Sequence, residues 1–580
     1  MKKSKLLRYS RKHLIINIIQ KFLILLSISL LIILFGNPVF GTTDDRILSS
    51  FIDGTYTGSP EKISVFVQPF VSIILSSVQE FIPKFSIFSY FLLLSLLVSV
   101  SIHGAVTSTI HKSKTLELFW YLNCIAIVIW FVLRPTYTSA ALLILIFNLL
   151  SILTLNSSSQ IFNNIRFIFF FLSLLFVSGY FTRPESIIAV LFIFFPFIIF
   201  RFTKDLKNDA NKIINYFICI ITIFVAILIN AVLHKTLSAE SWSDYNSWNS
   251  MRHQIQHRLP QEQLLNLRSE INWSIPEYHL FMNLAYGDPI VFNQDWLRPA
   301  FKETQNERGL APIFNVNFTT LKSKIFNLFS QFKFYFLICI LNLFLLFSLF
   351  RLDLYDKIII FFTIIVISLA IIYSLIALHT PERFIVPVFI VPIFLSISML
   401  TIKKNNLRFN LQERNRFFWF TYFTFFVLLI PLWIYICFTK NKLNQIELNY
   451  AREVDRWLIE FDNNAIYLGG AGSETYHLQS PFKYRDFQKK PVYFSLGNWD
   501  TFSPHWFKRM NMLNLDSTSN SLNLFRENIY WLSNSEPDNS VHVEMFLQQK
   551  GFPYANRVLL KRHNSGLSIY QFLENNEDLK

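Results

Sequence analysis

Charge is scarce in this chain. Asp, Glu, Lys and Arg make up 16% of its 580 residues, against about 25% in soluble domains. With 52% hydrophobic residues and a mean hydropathy of +0.37, so little charge excludes a wholly soluble globular protein. Cysteine is almost missing. Cys124, Cys219, Cys339 and Cys437 all sit inside apolar runs, which excludes a disulfide framework in the hydrophilic parts. Glycine is rare too, at 14 residues. The apolar runs carry little of it and no internal repeat appears, unlike transporters built from two related halves with Gly- or Pro-broken spans. Short alternating segments of the kind that close a membrane β-barrel do not dominate either.

What the chain does have is long apolar runs. Eleven of them, about 17 to 22 residues each, are long enough to cross a hydrocarbon core of roughly 30 Å. They fall at 14–35, 86–106, 116–133, 137–155, 165–181, 186–202, 213–233, 334–350, 357–378, 384–401 and 417–438. The expected fold is a polytopic α-helical membrane protein of about eleven transmembrane helices. The first run follows a basic tail, MKKSKLLRYSRKH. It is longer than a signal-peptide apolar region and reads as an uncleaved span. Residues 64–82 are apolar but interrupted by Gln68, Pro69, Gln79 and Glu80, which suits a helix lying at the interface.

The net charge of +15 does not point to nucleic acid. Lys and Arg concentrate in the tail and in alternate short segments between spans, where about twenty of them lie, while the intervening short loops carry about one each. That asymmetry places the N-terminus in the cytoplasm and the C-terminus outside. Three hydrophilic parts then lie outside: loops 36–85 and 234–333 of a 1–438 transmembrane domain, and an extracytoplasmic domain 439–580. The last opens with a helical pattern, LNQIELNYAREVDRWLIEF, that repeats its apolar face. Five strand-like runs follow: AIYLGG, PVYFSLG, NIYWLSN, RVLLKRH and LSIYQF. Two helical stretches between them predict a small α/β domain.

Ionisable residues gather at the expected outer ends of the spans. Asp44, Asp45, Arg46 and Glu61 follow span one, Arg134 follows span three, Arg183 and Glu185 follow span five, and His379, Glu382 and Arg383 follow span nine. Charges at the edge of the apolar zone are costly and favour a functional reading. Arginine holds phosphate through its planar fork, and a carboxylate can deprotonate an attacking hydroxyl. Each has a plainer alternative. A single arginine at a helix end anchors the interface, and Thr43 or Asp44 would cap a helix beginning DRILSSFI. His253 and His257 share a helix face without the glutamate of a metalloprotease pattern, and GGAG at 469–472 lacks the dinucleotide spacing. The cluster of Trp499, Asp500, His505 and Trp506 suits either sugar stacking or domain packing.

A first span, an outer loop with an acidic pair, an interfacial helix, many further spans and a large outer domain resemble the C-type (GT-C) integral-membrane glycosyltransferases. NPVFGTTDDRILSSFIDGTYTGSPE, TRPES and INWSIPEYHLFMNLAYGD are similar to bacterial membrane proteins found with surface-polysaccharide functions. The resemblance implies a polyprenyl-phosphate sugar as donor, membrane lipids as surroundings, and a glycan, lipid or polymer as acceptor. It implies a catalytic base at Asp44 or Asp45, with the arginines neutralising the leaving phosphate. It leaves the metal open, since some relatives use a divalent cation and others show no need of one. It also implies the outer face of a bacterial cytoplasmic membrane. The competing expectations are a transporter or flippase of lipid-linked saccharides and a polysaccharide polymerase or ligase.

Overall fold

The computed structural model describes residues 2–574 except 112, 158–165, 209, 238–239, 259–260, 286, 307–317, 350–353, 378–381, 403–414, 471–477, 485–488 and 535–537. It is 72% helical, with a small sheet near its C-terminal end. Among the described residues, seven helices are long and apolar enough to cross a membrane by length and composition. Each of the eleven predicted apolar runs falls largely within a helix. In chain order these are α1 (Lys2–Phe35), α4 (Ile87–Ile110), α5 (Lys114–Leu133), α6 (Tyr137–Ser157), α7 (Arg166–Thr182), α8 (Glu185–Asn208), α9 (Ala210–Leu237), α14 (Phe318–Leu349), α15 (Leu354–Ala377), the pair α16 (Glu382–Phe389) and α17 (Val391–Ile402), and α18 (Asn415–Phe461).

Burial sorts these helices into a centre and a rim. The candidate span on α6 is wholly buried, whereas only 11% of that on α9 is. The rim helices leave large apolar side chains outside, among them Leu34, Phe35, Phe192, Ile220 and Phe224. Apolar exposure on this scale fits lipid as the solvent rather than water. α6 packs against α4, α7, α8, α16 and α17, so its N-terminal end is ringed by other elements.

Shorter helices fill the loops. α2 (Thr43–Asp53) and α3 (Pro69–Phe81) lie in the first, α3 where the interfacial helix was expected. In the second, α10 (Glu240–Arg258), α11 (Gln261–Leu267), α12 (Ile275–Met282) and α13 (Gln294–Asn306) follow one another. α18 has 47 residues, or roughly 70 Å at about 1.5 Å per residue. It therefore runs without a break through the predicted boundary at 438/439 and is about twice as long as the roughly 30 Å of a hydrocarbon core.

All five predicted strands form: β1 (Ile466–Gly470), β2 (Val492–Gly497), β3 (Ile529–Ser533), β4 (Ala555–Arg562) and β5 (Ser568–Glu574). They make one sheet in the order β2-β1-β3-β5-β4. β1 is parallel to β2 and β3, while β5 is antiparallel to β3 and β4. The described helices between strands are α19 (Pro504–Met512), α20 (Asn520–Leu524) and α21 (Asn539–Gln549). β2 is an edge strand, yet every residue in it is buried. The reason is a shared core. Trp242, Trp248, Trp273, Phe281 and Phe292 from the second loop pack in one cluster with Leu468, Phe494, Leu496, Trp506 and Trp531 from the sheet region. The two hydrophilic parts that read as separate in the sequence thus cover each other, and an edge that would otherwise invite pairing is closed.

Candidate functional site

The site begins where α1 ends. Val39 N–H donates to Leu133 O at 3.1 Å and Gly41 N–H to Pro135 O at 3.1 Å, laying residues 39–41 along the turn between α5 and α6. A Cβ on Gly41 would stand 2.1 Å from the Thr136 methyl, so this approach requires glycine. Thr42 then caps α2, ahead of both expected caps, Thr43 and Asp44. Its hydroxyl accepts from Asp45 N–H at 3.4 Å and donates to Asp45 Oδ2 at 2.6 Å.

The two aspartates face different surroundings. Asp45 is buried, and its Oδ1 accepts the backbone N–H of Tyr137, the first residue of α6, at 2.6 Å. It satisfies one of the donors that a helix start leaves open. Burial pushes its carboxyl up to about 7, against the pull of Thr42, the Tyr137 amide and Arg383. Asp44 keeps 27% of its side chain exposed, and its Oδ2 lies 3.5 Å from Arg383 Nη1. Arg383 Nη1 also reaches Thr42 Oγ1 at 3.4 Å. Both Arg383 contacts are long for charge-assisted bonds.

Tyr137 ties Arg183 to this pair. Arg183 Nη1 donates to Tyr137 Oη at 2.5 Å and to Thr138 Oγ1 at 2.9 Å, with its guanidinium 5.0 Å from the Tyr137 ring centre. Glu185, largely exposed, sits 3.7 Å from Arg183 Nε. On its other side the Tyr137 ring stacks on Phe66, and Phe66 packs against Trp499. Asp44, Asp45, Arg183 and Arg383 therefore form one group around the start of the central helix, with Glu185 at its margin.

Arg46 and Glu61 belong to the same loop but brace it. Arg46 is buried and pairs with Asp53 at 4.0 Å, while Asp53 accepts from Thr55 N–H and Oγ1. Glu61 binds the sheet region, 2.7 Å from Lys508 and 3.8 Å from His505. His505 Nε2 lies 2.7 Å from Ile63 O, and Tyr56 donates to Asp500 Oδ2 at 3.1 Å. The aromatic cluster around Trp499 thus docks the first loop. Burial pushes Asp500 up to about 7, an upward push that the charge on Asp44 adds to. Arg252 on α10, also buried, feels the charges of both Asp44 and Asp500.

Two of the predicted substrate-binding residues, Arg134 and Glu382, are committed elsewhere. Arg134 donates through Nη2 to Glu447 at 2.6 Å and through Nε to Asn444 at 2.7 Å, both on α18. Glu382 pairs with Lys440 of α18 and accepts from Trp130 Nε1 at 3.1 Å and Tyr335 Oη at 3.2 Å. These side chains clamp α18 to α5 and α16. His379 lies outside the described residues. Tyr137, Thr42, Tyr56 and Arg252 were not singled out from the sequence. The only local signal was the position of Tyr137 in LRPTYT at the start of a span.

A divalent ion at the doublet would find a poor donor set. Both Asp45 oxygens already accept hydrogen bonds, and among the described residues no three His, Cys, Asp or Glu side chains are grouped to hold a metal. His253 is exposed on α10. The arrangement offers a partly accessible carboxylate at Asp44 and an exposed one at its margin in Glu185, with two guanidinium groups and an aromatic wall at the rim of an apolar bundle. No family model, curated protein or solved structure matches the chain.

Proposed function

We propose that this protein transfers a sugar from a polyprenyl-phosphate donor to a surface glycan, lipid or polymer acceptor, with Asp44 as general base. The observation that carries this reading is Asp44 itself. It is an accessible carboxylate 3.5 Å from Arg383, in one group with Arg183, at the end of an apolar helical bundle. A lipid-linked phosphate needs that combination: an apolar surface for the chain, cations for the phosphate and a base at the reacting carbon.

In the reaction the acceptor hydroxyl oxygen bonds to the anomeric carbon as the bond from that carbon to the phosphate oxygen breaks. The proton passes to Asp44, the electron pair leaves with the phosphate, and the anomeric configuration inverts. Arg383 and Arg183 receive the growing negative charge. Asp45 does not react. It fixes α2 to the start of α6 and so positions Asp44. In this reading all eleven runs cross a bacterial cytoplasmic membrane, with the N-terminus inside and the site and sheet outside.

The test is sugar transfer by detergent-purified protein from polyprenyl-phosphate sugars. Asp44→Asn should lower the rate about 10²- to 10⁴-fold at unchanged thermal stability, while Asp45→Asn should keep most of the rate. Equal rates in wild type and Asp44→Asn would defeat the assignment. Movement of the lipid-linked sugar across vesicles without its consumption would favour a flippase.

A further inference from the structure

Away from the doublet, the second loop also meets the sheet region between α12 and α21. The two helices run antiparallel. Glu277 in the first turn of α12 pairs with Lys550, just past the end of α21, at 2.8 Å. Asn283, just past the end of α12, donates to Oδ1 of Asn539 at the start of α21, at 3.1 Å. Between these contacts His279 of α12 stacks on His542 of α21, with ring centres 4.3 Å apart and planes 16° from parallel.

Neutral imidazoles stack without penalty, but two imidazolium rings at that distance repel. Among the described residues, the carboxylates nearby are already taken. Glu277 holds Lys550. Asp538, the cap of α21, holds Arg557 Nη1 at 2.8 Å and Tyr570 Oη at 3.0 Å, and its other oxygen accepts from Ser540. Glu544 holds Arg557 Nε at 3.2 Å. Arg268, ahead of α12, adds positive charge that His279 feels. The Nδ1 of His542 is buried without a hydrogen-bond partner among the described residues, so a proton placed there would be an unsatisfied donor.

We propose that the His279–His542 stack is an acid-sensitive joint: protonating both rings parts α12 from α21 while the sheet stays folded. The proton balance sets the direction. Burial and Arg268 push His279 below its ordinary value of 6.5. Burial and His279 push His542 below the same value, against the pull of Asp538. Both rings therefore take up protons on separating, so the joint is closed above about 6.5 and opens as pH falls below it. α12 leads into Ala285 and Gly287. A Cβ on Gly470, at the end of β1, would stand 2.6 Å from Ala285 Cα, and one on Gly287 would stand 3.0 Å from Leu496 O of β2. Parting α12 thus loosens the cover over the ends of these two strands. Trp242 and Trp248 of α10 sit in the shared core and keep their own hold on the sheet region. The joint works in the same way whether or not the protein transfers sugar.

The experiment is hydrogen–deuterium exchange of the full-length protein in detergent at pH 7.5 and pH 5, corrected for the pH dependence of intrinsic exchange. In wild type, protection of α12 should fall at least about tenfold at pH 5, while β1, β2 and β3 keep theirs. His279→Phe and His542→Phe keep a stacking ring and remove one charge. Each should reduce the loss, and the double variant should abolish it. If the double variant does not fold, the single variants carry the test. Equal protection of α12 at both pH values in wild type would overturn the proposal. So would the same loss in the Phe variants, or a loss shared by the strands, which would be general acid unfolding.

Discussion

Glu382 and Arg383 are neighbours in the chain, yet they belong to two different charged regions. Glu382 joins Lys440, Trp130 and Tyr335, beside the Arg134–Glu447 pair. In that region the charges find opposite charges and hydrogen bonds on three helices, and α18 is locked to the bundle. Arg383 meets Asp44 at 3.5 Å and Thr42 at 3.4 Å, both long for charge-assisted bonds. The first region is saturated and the second is not. Position at a helix end does not assign a role to a charge; what remains of its bonding capacity does.

Three variants sharpen this contrast. The largest effect is expected on the unsaturated side. Arg183→Ala and Arg383→Ala should each weaken binding of a polyprenyl-phosphate sugar about 10- to 100-fold with little change in thermal stability. Unchanged affinity in both would make them membrane anchors like any other. On the saturated side, Glu382→Gln should do the reverse. Lys440 is mostly buried and would lose its counter-charge, at about 1–2 kcal/mol of stability given that Glu382 is partly exposed, while donor affinity holds. A loss of affinity with intact stability would erase the distinction between the regions.

The smallest effect concerns pH. Asp45 has its carboxyl raised by burial from 3.8 to about 7. The folded chain then holds a proton that the unfolded chain has lost, so this group's stabilisation is complete below about 4 and fades as pH rises to about 7. His505, which burial pushes down, acts oppositely by losing stability as pH falls. The wild-type melting temperature relative to Asp45→Asn should therefore fall between pH 4 and 7. A relative melting temperature that rises over that range would mean Asp45 is charged when folded.

Much of the architecture was legible because its signals are local. Apolar runs of span length became helices, and alternating runs such as PVYFSLG became strands. The burial of edge strand β2 was not legible, because it depends on tryptophans of the 234–306 segment meeting a strand some 200 residues later. At the doublet the sequence offered two equivalent aspartates. A cap at Thr42 rather than at Thr43 or Asp44 sets the phase of α2, turning Asp45 inward and Asp44 toward Arg383. Arg134 looked equivalent to Arg183, and only the return of α18 past Leu133 at Asn444 and Glu447 separates them.

The central claim is that the Asp44 group holds a lipid-linked sugar phosphate. Mass spectrometry of lipid retained by the detergent-purified protein tests it most directly. The account predicts a polyprenyl phosphate, free or sugar-bearing, enriched in wild type and depleted in the Arg183→Ala/Arg383→Ala double variant. Bulk phospholipid alone, retained equally by both proteins, would contradict it.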